Sequence, residues 1–513
     1  MSRINTNIQS LIAQRTLAQN NQNLNTTLER LSTGLRINRG KDDPAGLIAS
    51  ENLKADITSI NAAINNGERA DQVVNIAEGG LTEISSSLNE LQGLLTESAN
   101  SAGLSDTEKE ANQLQIDSIL QTVDRIASST NFQGDKLLNG RLDFETTQID
   151  DGIVDFQVNA AKFDTATQDV DVNITQSAQQ GSLFLSFGAG TLQFSAGGGE
   201  QFSIEVAGEL GSREVSFASQ TSLADVAATI NTFTDITGVT AEASGNGVVL
   251  RADDFGSDGF VSVQNTGDAV LNNANTGITQ FSAQDQNTID TSLGSVSFLS
   301  SGQNPVRDEG QDVQGTINGI VATGEGRSLR ASTDFLDVEL LLASQSTGGS
   351  IGADTLGTGQ AFSLTGGGAT FQLDGDVGIA GRVGLGIQEV ASRRLGDSEL
   401  GFLDELGTGE KFNVVDASES DLADAQKVVD AAIEQVSSLR GRLGAFQANV
   451  IGATVRNLGV AAENTAAANS VIRDADFAQE TAGLSRNQTL VQAATQSLAL
   501  ANQNPNNALQ LLG

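Results

Sequence analysis

VVNIAEGGLTEISSSLNELQGLLTE, residues 73–97, and LADAQKVVDAAIEQVSSLRGRLGAFQANV, residues 422–450, decide the fold. In the first, Val74, Leu81, Leu88 and Leu95 recur every seven residues, interleaved with Ala77, Ile84 and Leu91. In the second, Leu422, Val429, Val436, Leu443 and Val450 recur in the same way, with Ala425, Ala432, Leu439 and Phe446 in the other register. Apolar residues at both positions of a heptad form a coiled-coil seam. Two seams separated by most of a 513-residue chain have the pattern needed to pair with each other. Everything between about 140 and 410 is then an insertion projecting from a helical rod.

Helical spacing continues outward from both seams. Ile4, Ile8, Leu11, Leu17, Leu24, Leu28, Leu31 and Leu35 follow three- and four-residue steps that end near Gly34 or Gly40. KDDPAG then restarts the chain, with Asp43 placed to cap the next helix and Pro44 in its first turn, where a missing N–H costs nothing. The periodicity runs from Ala45 to about Ala99, and a helix of about 40–50 residues there would be roughly 60–75 Å long. A further helix is expected from about Thr107 to Ser128, through Leu114, Ile119, Val123 and Ile126. At the other end, Leu484, Val491 and Leu498 repeat every seven.

The outermost segments are almost free of charge, although Asp and Glu outnumber Lys and Arg by 64 to 28 and the formal net charge is -36. No charged residue follows Arg486, and only Arg3 and Arg15 precede Glu29. A segment without charges can enter a packed interface without the several kcal/mol that burying each ion costs. Isolated helices of this size are marginal in water, so these ends are expected to be loose alone and ordered in an assembly.

The middle reads as β structure. Of 21 Phe residues, none precedes Phe132 and only Phe446 and Phe477 follow Phe412. LFLSFGAGTLQFSA and QFSIEVAG alternate apolar and polar residues between Gly and Ser, as half-buried strands do. From Phe202 to Val263 the pattern gives two strands, a helix opened by Ser222 and Asp225, and a hairpin turning at Asn246-Gly247. A second β-rich stretch covers roughly Gly315 to Ile387.

Zero Cys and zero His remove thiolate chemistry, zinc-thiolate sites, the commonest general base and the commonest transition-metal ligand. The acidic balance disfavours nucleic acid and anionic membranes, and no stretch of about 18 apolar residues is long enough to span a bilayer. No secretory leader is visible at the N-terminus. The acidic loops DDFGSDG (253–259), DGDVG (374–378) and GGSIGAD (348–354) lack calcium-site ligand spacing and read as solvated turns. GEGRS and GTGQ lack the remaining residues of nucleotide-binding loops. No catalytic, cofactor or metal residues are assigned.

The termini closely resemble bacterial flagellin. INTNIQSL, ERLSTGLRINRGKDDPAGLIAS, SANS at 98–101 and NFQGDKLLNG at 131–140 look like the family's N-terminal block. LRGRLGAFQANV, AAENTAAANSVIRDADFAQET and ANQNPNNALQLLG look like its C-terminal block, and the region of Phe202 to Val263 is similar to a module inserted in many flagellins. The resemblance implies an α+β multidomain chain. Its paired terminal segments would form a coiled-coil rod, and its mostly β central insertion would form outer domains. The expected division is 1–43 with 472–513 for the inner terminal helices and 44–175 with 405–471 for the rod, followed by outer domains at 176–285 and 286–404.

The resemblance further implies a homopolymeric filament outside the cell, whose subunit is exported unfolded through the flagellar apparatus. Partners implied are the flagellar cap, the hook–filament junction protein and an export chaperone. Zero Cys suits such export, since thiols could cross-link in an oxidising exterior. The junction protein of the same family is the alternative identity, and display of an adhesin by the insertion is an alternative role. Self-assembly is assigned to Ile4, Ile8, Leu11, Leu484, Val491 and Leu498. In many flagellins the long helix before SAN carries a basic motif read by the vertebrate innate receptor. Aligned on SANS, Glu90 stands where that motif has arginine and Gln115 where the next helix has glutamate, while Leu94 keeps the motif's leucine. Weak receptor recognition is expected.

Overall fold

The computed structural model of the chain describes residues 6–100, 103–162, 167–194, 201–267, 271, 276–282, 285–289, 294–302, 304–333, 335–345, 351–354 and 356–510. Ile4 lies outside them. Long helices occupy both ends: α1 (Ile8–Thr33), α2 (Pro44–Ser98) and α3 (Asp106–Ser129) precede a β-rich centre. Within that centre lie the shorter helices α4 (Leu223–Asn231), α5 (Thr234–Thr237) and α6 (Phe298–Ser301). The chain closes with α7 (Glu419–Ala445), α8 (Gly452–Arg473) and α9 (Phe477–Gln510).

Local chemistry sets the helix ends. Asn7 caps α1 by accepting from the Ser10 N–H at 3.1 Å, and Gly34 ends it in the left-handed region at φ 72°, which favours glycine. The Asp43 carboxylate accepts from the Gly46 N–H at 2.9 Å, and α2 begins at Pro44. At α3 the Ser105 N–H donates to Glu108 at 2.8 Å, which holds that carboxyl below its ordinary range. Ser222 Oγ accepts from the Asp225 N–H at 3.2 Å to open α4.

The chain divides into two compact units. The first comprises Met1–Gln72, Phe371–Arg382 and Gly444–Gly513, and the second Val73–Thr370 and Val383–Leu443. In the second, α2 and α7 run antiparallel, bridged by Arg440 to Glu78 at 2.9 Å and by the Gln92 amide to Asp430 at 2.5 Å. Val74, Leu81, Leu88, Leu95, Val429, Val436 and Leu443 are all buried. Val450 departs from the expected seam and is only half-buried. A π-helical turn at Phe446–Ile451 takes up an additional residue, so burial passes from Phe446 to Ile451. In α3, Leu114 faces solvent at 69% exposure. Its neighbour Gln113 goes inside, donating to the Leu406 carbonyl at 2.9 Å and accepting from the Val414 N–H at 3.0 Å.

The same unit holds two antiparallel β bodies, one nested in the other. The inner body pairs the strands Gln180–Ser186, Gln201–Ala207, Ser212–Ala218, Val239–Ser244, Gly247–Phe255, Phe260–Asn265, Gly277–Ser282, Asp285–Ile289 and Val306–Glu309 in two sheets. Leu183, Phe187, Phe202, Val226, Leu250 and Val261 lie in its core. Its hairpin turns at Gly245-Asn246 rather than at Asn246-Gly247, because Ser244 and Gly247 are paired and Gly245 takes φ 57°.

The outer body pairs strands from both sides of this insertion. Val172 stands opposite Ile317 and Gly359, and Val158 opposite Val338. Strands within 144–176 therefore belong to this sandwich and not to the rod, and the strand Val306–Glu309 belongs to the inner body. The physical reason is β pairing: a chain that leaves one sheet and returns to it places partners more than a hundred residues apart on either side of whatever it inserts. The turn that follows Phe255 joins the two bodies. Asp312 accepts from the Ser257 N–H and Oγ at 3.0 and 2.7 Å, and from the Gly326 N–H at 2.9 Å.

Candidate assembly surface

In the first unit α1 and α9 form an antiparallel pair. Their seam is filled most tightly by small residues. Ser10, Thr27, Ala494 and Ala501 are its buried positions, with Leu17, Leu24, Leu31, Leu484, Val491 and Leu498 half-buried beside them. Polar side chains cross-link it along its length. Asn7 donates to the Ala501 carbonyl at 2.8 Å, Ser10 to the Asn502 side chain at 2.7 Å, Asn20 to the Leu490 carbonyl at 3.3 Å and Asn487 to Thr27 at 3.0 Å. Arg30 pairs with Glu480 at 3.2 Å. The C-terminal segment thus has a partner within its own chain, contrary to the expectation of loose ends. Small residues let the two backbones approach, and short amide and hydroxyl side chains satisfy each other where charges would be costly to bury.

The segments linking these helices to their neighbours are bound to each other. The Arg36 N–H donates to the Arg473 carbonyl at 2.7 Å, and the Ala475 N–H to the Gly34 carbonyl at 2.9 Å. Ile37 is buried there, and Arg473 pairs with Glu51 at 2.7 Å. The Arg39 amide, donating to Asp42 at 2.9 Å, holds that carboxyl below its ordinary range.

With the seam closed by small residues, large apolar side chains point away from it. Ile8 and Leu11 are 55% and 56% exposed, Leu500 is 64% exposed, and Ile12, Leu28, Leu490 and Phe477 are exposed as well. The residues assigned to assembly therefore split into two sets: Ile8 and Leu11 face outward, whereas Leu484, Val491 and Leu498 are half-buried in the intrachain seam. Leu500 and Ile12 are the outward positions that the heptad reading passed over. Their signal is their place off the seam in stretches that carry almost no charge. α8 is also poorly covered: it has no buried residue, and Val460 and Val471 are exposed.

Of the receptor-motif positions in the second unit, Glu90 and Gln115 are exposed and Leu94 is buried. A cleft of about 970 Å³ between the outer sandwich and α7 is lined by Asp143, Asp155, Gln388, Arg394, Asp397 and Glu434 among others. Burial raises the Asp143 and Asp155 carboxyls above their ordinary range. Among the described residues no group of three or more Asp and Glu side chains is placed to hold a metal ion. Among them also, no helix is long and apolar enough to cross a membrane.

Comparison with known proteins places these helices. The family model of the bacterial flagellin N-terminal helical region matches residues 4–143, and that of the C-terminal helical region matches 426–512. The flagellin hook IN motif matches residues 201–254. B-type flagellin of Pseudomonas aeruginosa is 30% identical, with 99% of each chain covered. Flagellin of Salmonella choleraesuis is 28% identical and flagellin B of Vibrio cholerae 26% identical, each again over 99% of both chains.

Proposed function

This chain belongs to the bacterial flagellin family, and from that premise we propose that the outward apolar row of α1 and α9 is the surface through which copies pack. The chain is a structural subunit of the flagellar filament, outside the cell. One observation carries the assembly reading: an already paired pair of helices leaves Ile8, Leu11 and Leu500 in water. Fully burying one such side chain gains about 1.5–3 kcal/mol. Repeated in every subunit and with no charges after Arg486 to desolvate, that gain favours a helical homopolymer.

By the same resemblance, the partners proposed are the filament cap, the hook–filament junction protein and an export chaperone. No catalytic, cofactor, nucleic-acid or membrane role is proposed. Glu90 and Gln115, both exposed and both departing from the family's receptor motif, support weak recognition by the innate flagellin receptor.

The test compares Leu500→Asp with Leu498→Asp. The first puts a charge on the outward row and is expected to abolish polymerisation, scored by sedimentation and electron microscopy, while leaving monomer melting unchanged. The second puts it in the half-buried seam and is expected to loosen the α1 and α9 pair as well, visible as lost helical circular dichroism. Normal filaments from Leu500→Asp would refute the surface.

A further inference from the structure

We infer that the cleft between the outer sandwich and α7 is a binding site for a linear polyamine, a methylene chain carrying three ammonium groups. The cleft holds about 970 Å³, within the range of small-molecule sites, and every residue lining it belongs to the second unit. The inference concerns the single chain and does not rest on assembly.

One wall is a sheet face. On the strands Ile153–Ala161 and Leu336–Leu342, Asp155 stands opposite Leu341 and Gln157 opposite Glu339, so these four side chains share one side of the sheet, and all line the cleft. The other wall is α7, with Glu434 and Gln435, and the segment that it holds. The Gly396 N–H donates to the Gln435 side chain at 3.0 Å, and the Gln435 amide donates to the Gly396 carbonyl at 2.6 Å, which fixes the neighbouring Asp397. The Gln157 amide likewise donates to Gln388 at 2.6 Å. Walls held in this way lower the ordering cost of binding. Leu341, Phe402 and Leu439 add apolar surface on which methylenes can lie.

The carboxylates of the cleft are short of counter-ions. Asp143 and Asp155 accept from the N–H groups of Phe144 and Phe156, each at 2.8 Å. Among the described residues neither is in an ion pair, and Arg394, the basic residue of the lining, acts on both only from a distance. Asp143 is half-buried and Asp155 exposed, so a solute can reach both, yet the surrounding protein raises both carboxyls. Glu339 and Asp397 repel the Asp155 charge further, and Glu389 that of Asp143. The remaining arginines nearby do not close this gap. Arg393 pairs with Glu389, Arg330 with Asp337 at 3.8 Å, and Arg442 acts on Asp143 from α7. With Asp337 the six lining carboxylates make seven negative charges against these four arginines, an excess of three, which a triamine matches. Among the described residues no three carboxylates are placed to hold a metal ion, so charges spaced along a chain fit the cleft where a point charge does not.

The test is calorimetric titration of the full-length monomer with spermidine, and separately with Mg²⁺, at constant ionic strength. One saturable equivalent of spermidine is expected, with a rise in monomer melting temperature, and no saturable heat from Mg²⁺. Asp143→Asn combined with Asp155→Asn is expected to weaken spermidine about tenfold or more, with the fold retained by circular dichroism. Asp254→Asn combined with Asp258→Asn removes the same charge from exposed positions of the inner body and is expected to leave the affinity within about twofold. This second pair separates the cleft from general attraction of a polycation to a chain of net charge -36. Equal weakening by the two pairs, many weak equivalents, saturation by Mg²⁺ in place of spermidine, or no saturable binding overturns the site.

Discussion

The pair of α2 and α7 buries Leu81, Leu88 and Val436 completely, while the pair of α1 and α9 buries Ser10, Thr27, Ala494 and Ala501 and leaves Ile8, Leu11 and Leu500 in solvent. Both are antiparallel, and both carry a seven-residue repeat. What differs is where the large side chains go. The first pair contains its own core, so its stability belongs to the single chain. The second holds its partner through small residues and hydrogen bonds, each worth about 0.5–1.5 kcal/mol net, and keeps its hydrophobic surface for other copies. Its stability therefore depends on assembly, as expected for a surface whose partner binds only the folded form.

Truncating the same side chain in each pair tests the difference most directly. Leu88→Ala removes a fully buried leucine, and a cost of about 2–5 kcal/mol is expected in denaturant unfolding of the monomer. Leu11→Ala removes an exposed one, and its cost to the monomer is expected to stay within about 0.5 kcal/mol. Equal costs would mean that the two pairs do not differ in kind.

The contrast also explains which parts of the molecule were legible in the sequence. The seam of Leu81, Leu88 and Val436 announces itself because its apolar residues are large and its neighbours polar. The seam of Ser10, Thr27, Ala494 and Ala501 does not, because residues this small carry little hydrophobic signal. The nearby leucines then suggest a chain without an internal partner. Val450 falls off the seam because a heptad assumes a regular helix, and nothing in AFQANVIG marks the π turn that moves burial to Ile451. Gln113 and not Leu114 lies inside because its place depends on the Leu406 carbonyl and the Val414 N–H, some 300 residues away and invisible to local periodicity. The nesting of the two β bodies was hidden for the same reason. Val172 pairs with Ile317 across the whole inner body, and alternation identifies strands without naming their partners. The lack of charge at the ends can be read directly, but which large side chains face outward depends on how α1 pairs with α9, and the sequence does not name that pairing.

Glu90 lies on the outer face of α2, opposite the buried Leu88 and Leu91. Substitution to arginine on this exposed face is expected to leave monomer melting unchanged. An interface that reads arginine through a charged partner loses about 2–5 kcal/mol when the charge is inverted. A receptor-reporter titration of monomer is therefore expected to show weak signalling by the native chain and a large gain for Glu90→Arg. Potent signalling by the native chain would sink this reading.

The smallest effect tests the self-contained unit from within. Asp143 lines the cleft against α7, where burial raises its carboxyl above the ordinary value of 3.8. The Phe144 N–H, donating at 2.8 Å, and the charges of Arg394 and Arg442 act against that rise, while Glu389 adds to it. A raised carboxyl pKa means that the folded chain holds this proton more tightly than the unfolded chain does. The ionised group therefore costs the folded state stability at neutral pH. That cost fades as pH falls through the raised value, and below 3.8 both states are protonated. Asp143→Asn keeps an oxygen to accept from Phe144 and removes the charge. Its monomer is expected to melt about 1–3 °C higher than the native chain at pH 7, and the difference should close as the buffer approaches pH 3.8. Because Asp143 lies in the unit that buries its own core, the critical concentration for polymerisation should not change. A lower melting temperature at pH 7 would mean that Arg394 and Arg442 outweigh burial, so that the cleft holds Asp143 as a stabilising anion.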